Sequence, residues 1–312
     1  MISELFAPTV LIGILASGIR LATPYLYATI GETLGQLSGV LNLGLEGIML
    51  MGAYAAFFVV FQGGNLVLAL LMAIVVGAVL GLLMAFVSVT LKAEQGISGI
   101  GLYLFGLGMS DLLFQTTIGS VKTVEGFQNI GFPAFLVQLP VLGPVLFRQN
   151  ILTYVAFLLV PIAWFVINRT TLGQKIIAVG QAPEAADSLG ISVAGIRYLT
   201  VTVGGILSGV AGASLSIALL NVFQQNMTSG LGFIAVALVY FGAWRPLGVM
   251  LGSLLFSLVN ALQLWVQALG IPIPSDVAVM MPYVLTILAL ALATQRSANK
   301  PAALTKPFAR GE

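Results

Sequence analysis

Asn65-Leu-Val-Leu-Ala-Leu-Leu-Met-Ala-Ile-Val-Val-Gly-Ala-Val-Leu-Gly-Leu-Leu-Met-Ala-Phe-Val-Ser-Val-Thr-Leu-Lys92 decides the fold class. Between its two ends the only side chains with a hydroxyl are Ser88 and Thr90, and no charge interrupts it. About 20 apolar residues suffice for a helix to cross the hydrocarbon of a bilayer. The same text continues outward: residues 47–91, 198–244, 246–275 and 277–295 carry no Asp, Glu, Lys or Arg. Across 312 residues, 59% are hydrophobic and 7% charged, where soluble proteins have about 25% charged residues. With a mean hydropathy of +1.08, no soluble fold could bury so much apolar surface. The expected class is all-α: a polytopic membrane protein.

Spans are expected near 6–30, 40–61, 66–91, 96–117, 150–168, 198–221, 247–268 and 277–294, with a shorter one near 232–243. That makes about nine transmembrane or half-transmembrane helices, some interrupted, since 36 glycines and 13 prolines punctuate the chain. The 232–243 stretch is too short to cross untilted, so it reads as a half-helix or part of a broken pair. Residues 1–295 form one membrane domain. Residues 296–312, with Pro301 and Pro307 among scattered charges, read as a disordered cytoplasmic tail. Small residues four apart, Gly77/Gly81/Ala85, Gly205/Gly209/Ala213, Ser208/Gly212 and Gly248/Gly252, form ridges for close helix packing.

Basic residues orient the chain, because cytoplasmic loops collect Lys and Arg. With the 169–197 loop inside, Lys92, Arg169, Lys175, Arg197, Arg245, Arg296, Lys300, Lys306 and Arg310 are all cytoplasmic. Lys122 and Arg148 fall outside, in the 118–149 loop. An odd number of spans then puts the N-terminus outside and the C-terminus in the cytoplasm. Met1-Ile2-Ser3-Glu4 lacks the basic start of a signal peptide, so the first apolar stretch is expected to be retained.

Several chemistries are excluded by composition. Without cysteine there is no disulfide, iron–sulfur cluster or thiol nucleophile, and without histidine no imidazole base or histidine-bound metal. No stretch reads G-x-x-x-x-G-K-S/T, so the chain holds no P-loop for ATP. No metal site, bound cofactor or nucleic-acid contact is expected, and the chain is not read as an enzyme.

The sharpest local signal lies in the loop 173–192. Pro183 stands at a first helical position, Glu184 favours the positive end of the helix dipole, and Ala185 and Ala186 are strong helix formers. Gly190 is placed to end the helix in a left-handed cap. A helix over 183–189 is too short to persist alone, so it is expected to be ordered by docking on something.

Val179-Gly180-Gln181-Ala182-Pro183-Glu184-Ala185-Ala186, followed by Asp187, Leu189 and Gly190-Ile191, resembles the coupling segment of permeases in the branched-chain amino acid/ribose/nucleoside branch of bacterial ABC importers. The run Gly39-Val40-Leu41-Asn42-Leu43-Gly44-Leu45-Glu46-Gly47 resembles the nucleoside (BmpA-associated) and simple-sugar subgroup, where Asn-x-Gly-x-Glu-Gly is usual. Phe241-Gly242-Ala243-Trp244-Arg245-Pro246-Leu247-Gly248, Ala261-Leu262-Gln263 and Met281-Pro282-Tyr283-Val284-Leu285-Thr286 extend the likeness over about residues 20–294. One departure stands out: Gln36-Leu37 occupies the place of the subgroup's frequent Glu-Arg pair. The resemblance implies a non-enzymatic permease subunit in a bacterial cytoplasmic (inner) membrane. Its partners would be ABC ATPase subunits that hydrolyse ATP, a second permease chain, identical or not, and an extracytoplasmic binding protein. It also implies that residues 180–190 insert into a cleft on the ATPase.

Polar side chains within spans mark candidate route residues. Asn42 and Glu46 share a helix face, as do Asp111 and Gln115. Asn260, Gln263 and Gln267 form an i, i+3, i+7 stripe whose amides suit solutes with hydroxyl or amide groups. Tyr103, Phe233, Tyr240, Trp244 and Trp265 could stack on a base or sugar. The candidate pathway is therefore Asn42, Glu46, Tyr103, Asp111, Asn260 and Gln263, with nucleosides the first solute class and ribose- or galactose-type sugars the alternative. Arg20, deep in the first span, is expected to pair with a carboxylate such as Glu32 or Glu46. An ion-coupled secondary carrier is the competing class, but it lacks histidine relays and has no use for a docking helix.

Overall fold

The computed structural model describes residues 5, 7–270, 274, 277, 280–284, 287–288, 291 and 300–309. The expected span 277–294 lies mostly outside the described residues. The membrane helices in chain order are α1 (Pro8–Leu37), α2 (Leu45–Phe61), α3 (Leu66–Ala85), α4 (Gln95–Thr117), α7 (Ile151–Arg169), α10 (Val193–Ser214), α11 (Leu231–Phe241) and α12 (Pro246–Ala268). Short helices α5 (Ala134–Val137) and α6 (Leu142–Leu146) sit in the 118–149 loop, and α8 (Thr171–Gln181) and α9 (Pro183–Ser188) in the 170–192 loop. Among the described residues, six helices are long and apolar enough to cross a membrane; α2 and α11 are shorter apolar helices.

Caps explain most boundaries. Asn65, Asn150, Thr170 and Ser192 each accept a backbone N–H in the first turn of the helix they precede. Glu94 accepts the N–H groups of Ile97 and Gly96 at the start of α4, which holds its carboxyl below the usual carboxylate range.

Helix α10 is central, packed against α1, α2 and α3. Glycine makes this possible. A Cβ on Gly205 would lie 2.4 Å from the Gly77 carbonyl oxygen, and one on Gly212 only 1.9 Å from that of Met49. Gly52 meets the Gly209 carbonyl in the same way, at 2.5 Å. Along α3 and α10 the ridges of small residues are backbone-to-backbone contacts, the association that lipid favours, whereas Gly252 meets the Phe241 ring. Outward, Val67, Leu68, Leu71, Val75 and Val79 of α3 are exposed, as expected of a lipid-facing helix.

Two expectations are corrected. Helix α1 runs to Leu37 rather than residue 30 because its polar turn, Glu32 to Gln36, is buried in protein rather than emerging into water. Val40 N–H donates to Gly35 O and Gly39 N–H to Gln36 O, with Gly39 at φ +96, a left-handed helix stop. The tail expectation changes for its described part: residues 300–309 lie folded against the 38–40 turn and α8, with Ala303 and Leu304 buried. Leu304 joins a cluster with Leu37, Ile176 and Trp244, an apolar anchor that composition had masked.

The two ends of the bundle differ in charge. The 38–44 turn, the 91–94 and 170–192 loops, Arg245 and residues 300–309 gather at one end, through bonds such as Leu41 N–H to Gln95 Oε1 and Trp244 Nε1–H to Gln36 Oε1. Lys92, Arg169, Lys175, Arg197, Arg245, Lys300 and Lys306 are all there; Lys122 and Arg148 lie at the other. Arg296 and Arg310 fall outside the described residues.

Candidate functional site

Between α10 and α11 the chain leaves regular structure. Residues 221–230 carry positive φ at Asn221, Asn226, Ser229 and Gly230, and α11 is only 11 residues long. The expected half-helix is present. Irregular backbone at membrane depth survives only where protein buries it or a cavity adjoins it, because no water satisfies its N–H groups. Glu46 supplies the missing acceptors. Its Oε1 accepts the Thr228 hydroxyl at 2.5 Å and Gly230 N–H at 2.7 Å, while Oε2 accepts Gly232 N–H at 2.5 Å. The carboxylate also faces the positive end of the α11 dipole.

The rest of the Asn42–Gly47 run is built for the same junction. Asn42 Oδ1 accepts Gly44 N–H at 2.9 Å, shaping the entry to α2. A Cβ on Gly47 would come 2.6 Å from Leu102 O, and Gly106 makes the reciprocal approach to Gly47, so α4 lies directly on the start of α2. Asn42 and Glu46 are buried and neither lines the cavity described next: Asn42 shapes the entry to α2, and Glu46 holds the first turn of α11.

The other end of α11 is tied to α1. Trp244 Nε1–H donates to Gln36 Oε1 (2.8 Å), Gln36 Nε2–H to Glu32 Oε1 (2.8 Å), and Asn42 N–H to the same oxygen (3.1 Å). Gln36, the departure noted in the sequence, is thus both donor and acceptor in a buried polar chain, and Leu37 packs in the apolar cluster beside it. Arg20 pairs with neither carboxylate; its Nε–H donates to Gln149 Oε1 (3.4 Å), and Glu32 lies about 18 Å farther along the same helix.

A cavity of about 280 Å³ opens beside α11. Asn260 and Gln263 of the expected amide stripe line it, with Thr228, Ser229, Tyr25 and Tyr283 among otherwise apolar side chains. Gln267 is exposed and Trp265 donates to Ser17, so the stripe contributes two amides rather than three. Leu215 and Leu219, from the π-helical Leu215–Leu219 extension of α10, also line it, a local irregularity frequent at functional sites. Tyr103 and Asp111 belong to a different face: Tyr103 packs edge-on to Phe233 at 5.2 Å, and Asp111 accepts from Gln115 (3.1 Å) and from Gln225. Helix α11 contributes Ile234 to the cavity and Phe233 to the α4 face. Thr228 and Tyr25 have no motif that a sequence reading could use.

In the 170–192 loop, α9 begins at Pro183 and ends in a left-handed cap at Gly190, φ +79, with Ile191 N–H donating to Ala186 O and Gly190 N–H to Asp187 O. Pro183 and Ala186 are buried, Ala186 against Val179 and Val193 with Phe308 alongside. The inner face of the helix is therefore seated on its own chain. Gln181, Glu184, Ala185 and Ser188 face outward, and Leu189 is 80% exposed at the tip.

The family described as branched-chain amino acid transport system / permease component matches residues 14–290. The chain belongs to that family. It is 41% identical over 282 residues to a putative glucose ABC transporter permease of Haloferax volcanii, covering 88% of this chain and 85% of that one. It is 33% identical over 303 residues to a guanosine ABC transporter permease of Bacillus subtilis, covering 93% and 94%. With a nucleoside ABC transporter permease of Lactococcus lactis subsp. cremoris it shares 36% over 292 residues, covering 89% and 91%. No solved structure matches the chain. As an ABC permease with six long apolar helices among the described residues it is a multi-pass membrane protein, and the secondary-carrier alternative falls away.

Proposed function

We propose that this permease carries nucleosides inward as one of two permease chains, driven by ATPase subunits that bind and hydrolyse ATP and supplied by an extracytoplasmic binding protein. The observation that carries the solute class is the cavity beside α11. Two amides and tyrosine rings stand in an apolar wall, with the Thr228 and Ser229 oxygens, whose protons go to Glu46 and Asn226, left as acceptors, a lining that suits a flat base with a hydroxylated sugar. The guanosine and nucleoside permeases among the relatives support the same reading. A simple sugar is the second reading, favoured by the higher identity to the putative glucose permease.

The charge-rich end of the bundle is the cytoplasmic one by the positive-inside rule, which puts α8–α9 on the ATPase side of a bacterial cytoplasmic membrane. The docking face is Gln181, Glu184, Ala185, Ser188 and Leu189, the outward residues of the coupling segment. Pro183, Ala186 and Gly190 shape the helix from within. Asn260 and Gln263 touch the solute; Tyr103 and Asp111 border the route on the α4 face.

Uptake of tritiated guanosine and of labelled glucose by cells expressing the whole assembly separates the solute readings. Guanosine uptake competed by unlabelled nucleosides supports the proposal. Uptake of glucose alone replaces it with the sugar reading.

A further inference from the structure

We infer that residues 300–309 are a strap that fixes the ATPase-docking loop to the α1–α2 turn. This rests on the proposal that α8–α9 docks on an ATPase.

Three parts of the chain converge under this segment. The end of α8 lies so close to the end of α1 that a Cβ on Gly180 would stand 1.9 Å from Leu37 O. Across that joint, Ala303 N–H donates to Gly180 O (2.9 Å) and Thr305 N–H to Gly39 O (3.1 Å). Ala302 N–H also donates to Gln181 Oε1 (3.3 Å). A third anchor is Arg197 near the start of α10, 1% exposed, whose Nε–H donates to Ser38 O (3.1 Å) and Nη1–H to Lys306 O (3.1 Å). A buried guanidinium left without such carbonyls is costly, so the Lys306 carbonyl is part of what stabilises Arg197 inside.

Apolar anchors flank these bonds. Leu304 enters the Leu37–Ile176–Trp244 cluster, and Phe308 lies on the Val179–Ala186–Val193 cluster that seats α9. Thr305 sits at φ +68, a conformation held only where its surroundings determine it. The strap thus joins α8, α9 and α10 to the turn that leads through Asn42 to Glu46 and the half-helix. Displacement of the docking loop is passed to that turn instead of being absorbed by a free hinge.

The test uses the whole assembly of both permease chains, ATPase and binding protein, with guanosine as probe, or glucose where wild type takes up only glucose. Thr305→Pro forbids the positive φ and removes the N–H; Thr305→Gly permits both. A chain ending at residue 299 removes the strap. Thr305→Pro and the shortened chain should still co-purify with the ATPase but lose at least tenfold of uptake and of solute-stimulated hydrolysis, while Thr305→Gly stays within twofold of wild type. Wild-type uptake by both Thr305→Pro and the shortened chain would overturn the strap. So would a shortened chain that takes up solute faster than wild type, which would make the segment an inhibitory plug. Leu189→Glu keeps the two proposals separate: if it leaves ATPase bound and stimulated, the docking assignment itself fails.

Discussion

Glu46 Oε2 accepts the backbone N–H of Gly232 at 2.5 Å, so a carboxylate near the start of α2 holds the first turn of the half-helix α11 inside the bundle. Its other oxygen takes Thr228 and Gly230, and through these contacts the most distinctive motif of the sequence sets where the cavity wall begins.

Glu46→Gln replaces one acceptor oxygen with an amide that cannot accept from the N–H groups facing it. Hydrogen bonds to charged groups contribute about 1.5–3 kcal/mol each, so the change should lower the melting temperature of the purified permease and cut uptake at least tenfold. Thr228→Val removes a single donor and should have a smaller effect on both measurements. Equal thermal stability of Glu46→Gln and wild type would contradict this role.

In the docking loop the two alanines should part company. Ala186 is enclosed by Val179 and Val193, so Ala186→Trp should disturb the loop itself and appear as increased proteolysis between residues 170 and 192. Ala185→Trp and Leu189→Glu alter only the outward face; they should leave the permease at normal level but release the ATPase on purification. Gly190→Val forces a β-branched residue into the left-handed region at a cost of about 1–2 kcal/mol. Co-purification measured across the four variants checks the division.

Glycines should sort by what faces them. Gly212→Ala, with its Cβ 1.9 Å from Met49 O, and Gly205→Ala, 2.4 Å from Gly77 O, require helices to separate and should reduce folded permease in the membrane severalfold. Gly101→Ala and Gly108→Ala meet nothing within 4 Å in this chain, so its own fold should accept them. Fluorescence-detected size exclusion of the four variants is the measurement.

Much of this was legible in the sequence because its physics is local or periodic. The absence of charge from 65 to 92 dictates a span, spacing of four marks the glycine ridges, and Pro183 with Gly190 brackets α9. What was hidden depends on distant partners. The polar turn Glu32–Gln36 reads as the end of a helix until Trp244 and Asn42 are seen to satisfy it. Nothing near Glu46 in the sequence announces the distant Thr228, Gly230 and Gly232 donors that it accepts from. Residues 300–309 read as disordered because a few apolar anchors, Leu304 and Phe308 among them, are too sparse to announce a docked segment.

For the solute route, Gln263→Leu and Asn260→Leu should raise the solute concentration for half-maximal uptake at least fivefold while ATPase co-purification stays unchanged, because each amide faces the cavity. Unaltered uptake in both would return that face of α12 to helix packing.

The most direct measurement of the central claim is ATP-dependent accumulation of tritiated guanosine in proteoliposomes holding both permease chains and the ATPase, with the binding protein outside. Accumulation should require ATP and loaded binding protein and should disappear with Leu189→Glu. Accumulation of glucose but not guanosine would contradict the solute class. Uphill transport by this chain alone under an ion gradient would contradict the ATPase-driven mechanism.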